Sequence, residues 1–378
     1  MTIITYISCI TTIVYIVWIS RFYLAWRRLK ETTIVQSKST ESISIIIAIR
    51  NEAENIEKLL ISLLKQNYPK DFFEIIIVDD HSNDNSREII ELFKQNHNSI
   101  KLSFYQLDKR ENGKKAALRF AYKKATKDIL LFTDGDCYAP PLWLQYTALA
   151  FRDKEIKMLL GGVKIGRTHK AFQNFQSLEL LSLIGSGAGA AALQNPIMSN
   201  GANMAIRSSS LKDIKLKNTK IQIASGDDVF LMLEIKKTFG AKAIRFVKNP
   251  NHFIETIAEN SWKELINQRL RWVSKSGAYT DPFLITTSVI ILATNLSILI
   301  LLIASFFFLT LWKVLFMVWG LKALVDYFFL RNITTYVSQS KLLRHYPLVA
   351  TIYPFFIVFT ALIGQFTSFH WKERKYTK

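Results

Sequence analysis

Three long apolar segments constrain this chain more than any other feature of its sequence. They cover residues 3–26, 284–310 and 346–369. A helix of about twenty apolar residues crosses the ~30 Å hydrocarbon core of a bilayer. The pattern therefore predicts an N-terminal membrane anchor at residues 1–26 and a C-terminal membrane region at residues 284–370.

The cations near the first segment indicate its orientation. Arg27, Arg28 and Lys30 follow the apolar run, which places that end in the cytoplasm by the positive-inside rule. A cleaved signal peptide would carry its cations before the run and a small-residue cleavage site after it. We therefore expect a retained anchor in the cell inner (plasma) membrane, a multi-pass chain and a cytoplasmic middle domain.

A fourth segment, residues 312–331, is apolar but carries Lys313, Lys322 and Asp326. The last two are four residues apart, so they share a helix face and could neutralise each other within a membrane. If this segment crosses, the chain has about three C-terminal transmembrane helices and its basic tail lies outside. If it lies in the interface, the tail is cytoplasmic. The sequence leaves both topologies open.

The net charge of +19 is compatible with nucleic-acid binding. Many of the cations, however, flank the apolar segments, where anionic lipid headgroups would meet them. We therefore expect membrane lipids, and no nucleic acid, as partners of this surface. Cys9 and Cys137 are the only cysteines, and Cys9 lies in the first apolar segment, so no disulfide framework is predicted.

The middle of the chain alternates between apolar strands and amphipathic helices. Continuous apolar runs at 43–49, 73–80, 101–107 and 127–136 alternate with helical spacing, which is typical of an α/β fold with a Rossmann-like, mostly parallel sheet. Ligands bind beyond the carboxyl ends of such strands. Four carboxylates stand at these ends, namely Asp79, Asp80, Asp134 and Asp136.

Acidic strand ends restrict the kind of ligand. No glycine-rich dinucleotide loop follows the first strand, and no Gly-x-x-x-x-Gly-Lys-Ser/Thr occurs. Carboxylates hold a diphosphate only through a cation, and hard oxygen ligands suit Mg²⁺ or Mn²⁺. The sequence therefore predicts a nucleotide diphosphate held through a divalent cation.

Seven short segments, in order, resemble the membrane-bound family-2 glycosyltransferases. They are "IIIAIRNEAENIEKLL", "EIIIVDDHSNDNS", "ENGKKAALRFA", "TDGDC", "SNGANMAIRSS", "ASGDDVFLMLEI" and "QRLRW". Ala48 and Ile49 replace the family's Pro-Ala, and Arg119 replaces its Asn. The resemblance implies a cytoplasmic GT-A domain over residues 40–258 and an amphipathic interfacial helix, carrying Gln-x-x-Arg-Trp, over 259–280.

The resemblance also implies roles on the donor side. Asp136 would bind the metal, Asp134 would contact the metal or the ribose, and Asp80 would contact the base. The other expected substrate or nucleotide contacts are Asn51, Glu52, Asp79 and Lys114. The alternatives are a solvated turn for the Asp-x-Asp and a helix N-cap for "DDHS".

On the acceptor side, Asp228 would act as the general base, with Asp227 in support. Arg271 would stabilise the leaving diphosphate, and Trp272 would stack on the acceptor sugar. Gln268 would contact the diphosphate or the acceptor. Gly201 and Asn203 would line the acceptor pocket, and we expect a pair of interfacial helices over 175–193. For Asp227 and Asp228 the competing interpretation is simple helix capping. For the Gln-x-x-Arg-Trp helix it is a lipid-binding helix without chemistry.

These expectations combine into an inverting glycosyltransferase of the hexosyltransferase type. Its donor would be a UDP- or GDP-sugar and its acceptor a hydroxyl of a lipid or lipid-linked glycan at the cytoplasmic membrane face. A processive polysaccharide synthase is the alternative enzyme, since Gln-x-x-Arg-Trp is shared with those. A non-catalytic membrane scaffold that keeps the nucleotide-sugar fold is the alternative from another class.

Overall fold

The computed structural model describes residues 2–33, 41–166, 168, 170–217, 228–364, 369–371 and 374–376. The chain forms two compact units. The sheet unit comprises residues 29–166 and 190–257, and the helical unit comprises residues 1–28, 167–189 and 258–378. Asp227 lies outside the described residues.

The helices are α1 (Thr2–Arg28), α2 (Ile56–Leu64), α3 (Ser86–Asn96), α4 (Lys114–Lys124), α5 (Trp143–Ala150), α6 (Ala171–Ala192), α7 (Ser208–Lys217), α8 (Asp228–Phe239), α9 (Trp262–Val273), α10 (Pro282–Ser305), α11 (Leu311–Tyr336) and α12 (Tyr346–Ile363). The strands are β1 (Ile43–Ile49), β2 (Phe73–Asp79), β3 (Leu102–Gln106), β4 (Ile129–Asp134), β5 (Met158–Leu160), β6 (Val163–Ile165), β7 (Met204–Arg207), β8 (Ile244–Phe246), β9 (Ile254–Thr256), β10 (Phe369–Trp371) and β11 (Arg374–Tyr376).

The sheet unit is built on a seven-stranded sheet with the strand order β3-β2-β1-β4-β7-β5-β8. β1 to β4 are mutually parallel, whereas β7 runs antiparallel to its neighbours β4 and β5. Every residue of β2 is buried, as expected for a strand covered on both faces. The predicted α/β fold with a mostly parallel sheet is confirmed, and the four predicted strands are present.

The helices after these strands bury one apolar face each. In α2, Ile56, Leu59, Leu60 and Leu63 are fully buried, and their spacing of three and four residues puts them on one side of the helix. The chain thus enters and leaves the sheet by short loops. Those loops after β1, β2 and β4 carry the residues of the candidate site.

The helical unit contains helices of membrane-spanning length. By length and composition, the described residues include three candidate spans, Ile3–Arg28, Pro282–Ser305 and Ser340–Ile363. The third overlaps the predicted segment 346–369, whereas α11, which covers the ambiguous segment 312–331, is not among them.

Residues 175–193 form part of one continuous helix, α6, rather than the expected pair. Its glycines let this helix approach others closely, since a Cβ at Gly189 would lie 2.6 Å from the carbonyl oxygen of Phe22 in α1. A Cβ at Gly185 would collide with Ile333 of α11. Close packing therefore explains the small residues of this helix.

Candidate functional site

The candidate site lies where the strand order of the sheet reverses. β1 is flanked by β2 and β4, although these two strands are separated in sequence by β3. Asp79 pairs in register with Ile49, and Asp134 pairs with Ala48. The carboxyl ends of β2 and β4 therefore stand on either side of the end of β1, which is the switch point where α/β sheets bind ligands.

Backbone and side-chain hydrogen bonds tie the loop after β1 to the loop after β2. Asn51 has a φ of 51°, and its side-chain oxygen accepts the N–H of Asn83 at 2.9 Å. The buried Arg50 guanidinium donates to the carbonyl oxygen of Asp80 at 2.7 Å. These bonds give the two loops a fixed geometry and place Asn51 at the sheet edge.

The two aspartates that end β2 have different surroundings. Asp79 is buried, and its carboxylate accepts the backbone N–H and the hydroxyl of Ser82. These bonds hold the turn after β2, and the expected nucleotide contact of Asp79 stays a prediction. The Asp80 carboxylate accepts the N–H of Gly113 at 2.9 Å, so it joins this loop to the start of α4.

Lys114, the first residue of α4, forms an ion pair with Asp134. The side chains of both residues are about a third exposed, at 29% and 33%. Gly113, which precedes α4, has a φ of 88°, a conformation that favours glycine. The positive φ directs α4 so that its first side chain reaches the end of β4. The structure thus brings Lys114 and Asp134 together.

The surroundings of Asp136 strongly perturb the pKa of its carboxyl group. Burial, together with the negative charges of Asp134 and Glu52, raises the pKa of Asp136 to about 6. A hydrogen bond from the Thr256 hydroxyl at 3.1 Å and the charge of Lys114 act in the opposite direction. Such a carboxylate has an excess of negative charge around it, which favours binding of a cation.

Gly135 allows Glu52 to approach the Asp-x-Asp. A Cβ at Gly135 would lie 2.8 Å from Cγ of Glu52, closer than real Cβ contacts. Among the described residues, no three His, Cys, Asp or Glu side chains form a group able to hold a metal alone. The donor set fits a cation that takes one or two carboxylates from the protein and other oxygens from a diphosphate and water.

Asp228 stands in the first turn of α8 and is held by a backbone donor. The N–H of Gly201 donates to Oδ2 of Asp228 at 2.6 Å. The dipole of α8 favours an ionised carboxylate at this position. The structure therefore brings Gly201 and Asp228 together, and the other residue of the expected acid pair, Asp227, lies in the part of the chain not described.

Asn203 is fully buried and enclosed by protein. Its amide donates to the carbonyl oxygens of Gly162 and His252, each at 2.8 Å, and accepts the indole N–H of Trp143 at 2.9 Å. A Cβ at Gly161 would collide with this side chain. As packed, Asn203 joins β7 to neighbouring loops, which favours a core role, and the expected lining of the acceptor pocket stays a prediction.

The Gln-x-x-Arg-Trp residues Gln268, Arg271 and Trp272 lie on α9, in the helical unit. The Ser261 hydroxyl caps this helix by accepting the N–H of Glu264 at 3.2 Å. Glu264 bonds the N–H of Asn260, at 2.9 Å. The capping side chains thus fix where α9 begins.

A buried polar network on α9 was missed by sequence reasoning. Arg269 donates to Glu179 of α6 at 2.8 Å, and its guanidinium lies 4.1 Å from the ring centroid of Trp272. Arg269 also donates to Gln268, whose amide donates to Glu259 at 2.6 Å. The signal in the sequence was Glu179, a lone charge in the apolar run that forms α6.

Comparison with known proteins gives consistent results for sequence and fold. The sequence model described as "Glycosyl transferase family 2" matches residues 44–215. The glycosyltransferase AglE of Haloferax volcanii is 28% identical over 148 residues, which cover 37% of this chain and 48% of AglE. The poly-beta-1,6-N-acetyl-D-glucosamine synthase of Staphylococcus epidermidis is 29% identical over 259 residues, which cover 66% of this chain and 59% of the synthase. The chain thus matches between about half and three fifths of the length of these relatives.

Among solved structures, the mannosyltransferase PcManGT from Pyrobaculum calidifontis, in complex with GDP-Man and Mn²⁺, has a TM-score of 0.58. It is 16% identical in sequence, and the match covers 93% of this chain and 99% of that chain. At this level of identity the likeness shows the fold, which is that of a GT-A glycosyltransferase.

Proposed function

We propose that this chain, whose residues 44–215 match the model of glycosyltransferase family 2, is a member of that family and transfers a sugar from a nucleotide-diphosphate sugar to a hydroxyl acceptor. The observation that carries the proposal is the convergence of Lys114, Asp134 and Asp136 at the switch point of the sheet. A purely structural turn would have no need of a second carboxylate whose pKa is raised by burial and by the negative charges of Asp134 and Glu52.

The donor would bind at the carboxyl ends of β1, β2 and β4. Asp136 and Asp134 would hold a divalent cation, Mg²⁺ or Mn²⁺, which supplies charge neutralisation on the leaving diphosphate when bound. Lys114 would balance the charge of Asp134 on the diphosphate side. Asp80 would contact the nucleobase from its position beside Gly113, while Asn51 and Glu52 would line the edge formed by the loop after β1.

The acceptor would be activated by Asp228. Its carboxylate would remove the proton from the acceptor hydroxyl as that oxygen attacks the anomeric carbon, while the bond to the diphosphate breaks. A single displacement of this kind inverts the configuration at that carbon. The N–H of Gly201 orients the carboxylate, and Asp227 would support it. Arg271, Gln268 and Trp272 on α9 would bind the leaving diphosphate and the acceptor sugar.

We place the reaction at the cytoplasmic face of the inner (plasma) membrane, with a lipid or lipid-linked glycan as acceptor. Apolar helices of spanning length precede and follow the residues of the sheet unit. This arrangement holds a catalytic domain close to lipid substrates. The basic end of α1, with Arg27 and Arg28, supports the cytoplasmic side. The catalytic domain itself would comprise residues 40–258, with the Gln-x-x-Arg-Trp helix following at 259–280.

A processive polysaccharide synthase is the second candidate. It is supported by the match to poly-beta-1,6-N-acetyl-D-glucosamine synthase over 259 residues and by the "QRLRW" sequence on α9. A non-catalytic scaffold is disfavoured by the convergence of Lys114, Asp134 and Asp136 at one end of the sheet.

The experiment that tests the proposal supplies the protein in lipid vesicles with a panel of UDP- and GDP-sugars, a membrane lipid extract and Mn²⁺ or Mg²⁺. We expect one donor to be turned over and one sugar to be added to a lipid. A ladder of polymer would instead establish the processive synthase. Nucleotide-sugar binding without turnover of any donor would establish the scaffold.

A further inference from the structure

The membrane topology can be inferred from contacts within the helical unit, because they show how each long helix runs. Thr11 of α1 accepts a hydrogen bond at 3.1 Å from Thr294 of α10. Further along α1, Trp18 donates at 3.1 Å to Thr287, which lies earlier in α10. Residue numbers thus rise along α1 as they fall along α10, so these two candidate spans are antiparallel neighbours.

α11 packs along both of these helices and runs parallel to α1. Tyr15 donates to Asp326 at 2.7 Å, and Trp26 donates to Asn332 at 2.9 Å. With 26 residues, α11 is about 39 Å long at 1.5 Å per residue, which exceeds the ~30 Å core of a bilayer. A helix packed beside two spans over this length crosses with them.

Two of the charges that make α11 less apolar, Lys322 and Asp326, face other helices, whereas Lys313 and Arg331 are exposed. Lys322 is 3% exposed, and its ammonium lies 2.8 Å from the carboxylate of Asp326. The Tyr15 hydroxyl donates to the same carboxylate, and the Lys322 ammonium also lies 5.1 Å from the centre of the Tyr15 ring. A paired charge that faces other helices is compatible with a transmembrane segment. Composition alone therefore underestimates the ability of α11 to span a membrane.

The two ends of this three-helix bundle differ in character. At one end, Phe283 of α10 stacks on Trp18 of α1, in the half of that helix that leads to Arg27 and Arg28. At the other end, the turn from Phe306 to Leu309 between α10 and α11 exposes four large apolar side chains, between 50% and 80% of each. The basic end is the cytoplasmic one by the positive-inside rule.

α12 does not follow the direction of the bundle. It begins beside the middle of α11, where the Tyr346 hydroxyl donates to the carbonyl oxygen of Ala323 at 2.5 Å. It ends beside α9, since a Cβ at Gly364 would lie 2.9 Å from Cγ1 of Val273. β10, which follows α12, also packs against α9. α9 itself ends nine residues before α10, and α10 starts at the basic end of the three-helix bundle.

We propose that the chain crosses the bilayer three times, by α1, α10 and α11, and that α12 enters and leaves on the side of α9. The C-terminal tail then lies on the same side as Arg27 and Arg28. This places the cations of the tail, Lys372, Arg374, Lys375 and Lys378, where the positive-inside rule expects them. A topology with α12 as a crossing would place them on the opposite side.

Cysteine accessibility tests this topology directly, because only Cys9 and Cys137 must be replaced. In a Cys9→Ser, Cys137→Ala background, Thr310→Cys, Lys341→Cys and Lys378→Cys are treated separately with a membrane-impermeant maleimide. We expect Thr310→Cys to react in intact cells, and the other two to react only after permeabilisation. Reaction of Lys378→Cys in intact cells, or of Thr310→Cys only after permeabilisation, would overturn the proposal.

Reporter fusions to the chain with its native cysteines give an independent reading. A green fluorescent protein fused after Lys378 should fluoresce, and alkaline phosphatase fused there should be inactive, as both report a cytoplasmic end. Phosphatase fused after Leu309 should be active. An active phosphatase after Lys378 would establish that α12 crosses. These outcomes are independent of whether any sugar is transferred.

Discussion

Glu179 and Arg269 form a buried ion pair that joins α6 to α9, with side chains that are 4% and 6% exposed. The arginine approaches both carboxylate oxygens, and it also lies over the Trp272 ring and donates to Gln268. Two residues expected to contact the diphosphate and the acceptor are thus oriented by a side chain that is itself fixed by Glu179.

Replacing one partner of this pair should destabilise the protein strongly. Glu179→Leu leaves the buried Arg269 charge uncompensated, which costs about 3–5 kcal/mol. The double variant Glu179→Leu, Arg269→Leu removes both charges and should recover most of the melting temperature measured in detergent. It should not recover turnover, because Gln268 and Trp272 lose their support. A double variant with wild-type turnover would show that the pair is only structural.

Asp228→Asn should reduce kcat by about 10²–10⁴-fold, the range typical for loss of a general base. The amide oxygen can still accept the Gly201 N–H, so the geometry of the turn is preserved. Donor binding, measured by isothermal titration, should be nearly unchanged. The control is Asp213→Asn, the same substitution at an exposed site on α7, which should keep full activity. A modest loss in Asp228→Asn would disprove its assignment as base.

Asn203→Ala should lower stability rather than acceptor affinity. It removes three buried hydrogen bonds, and each polar group left unsatisfied costs about 1–3 kcal/mol. A large drop in melting temperature with an unchanged KM for the acceptor is therefore expected at temperatures where the variant remains folded. An increased KM with an unchanged melting temperature would restore the pocket role that the sequence suggested.

Glu74 should make stability depend on pH in the acid range. Burial raises the pKa of this carboxyl, but hydrogen bonds from Lys101, Thr126 and Ser44 outweigh it and lower the pKa to about 2 from 4.5. A lowered folded-state pKa contributes stability that is fully present above about pH 4.5 and is lost as the pH falls toward 2. The stability that ionised Glu74 contributes above about pH 4.5 is about 3 kcal/mol.

The measurement compares melting temperatures of the wild type and Glu74→Gln from pH 7 to pH 3. The variant should be less stable at neutral pH, and the difference should shrink as the pH falls below 4.5. A difference that stays constant over this range would show that ionisation of Glu74 does not stabilise the fold.

The sequence predicted the parts of the fold that depend on local patterns. Uninterrupted runs of Ile and Val identify β1 and β2 to within a residue of their ends, because strands buried on both faces need such runs. The antiparallel strand β7 and the short strands β5 and β8 were not predicted, since three or four residues carry too little periodicity.

The site was predictable as a set of strand ends but not as a set of contacts. Asp79 and Asp80 are neighbours with similar sequence surroundings, yet one binds Ser82 in its own turn and the other reaches Gly113. The contacts of Asn203 and Glu179 were equally unpredictable from the sequence, because their partners are more than forty residues away along the chain. Long-range packing decides such roles, and a single sequence does not display it.

The central claim is that the carboxylates after β4 form a cation-assisted site for a nucleotide sugar. Its most direct test is the release of nucleoside diphosphate by the protein in lipid vesicles, with Mn²⁺ or Mg²⁺ and with excess chelator, for the wild type, Asp136→Asn and the control Asp213→Asn. We predict release that requires the cation, is abolished in Asp136→Asn and is retained in Asp213→Asn. Release that persists in the chelator, or an Asp136→Asn variant as active as the control, would contradict the account.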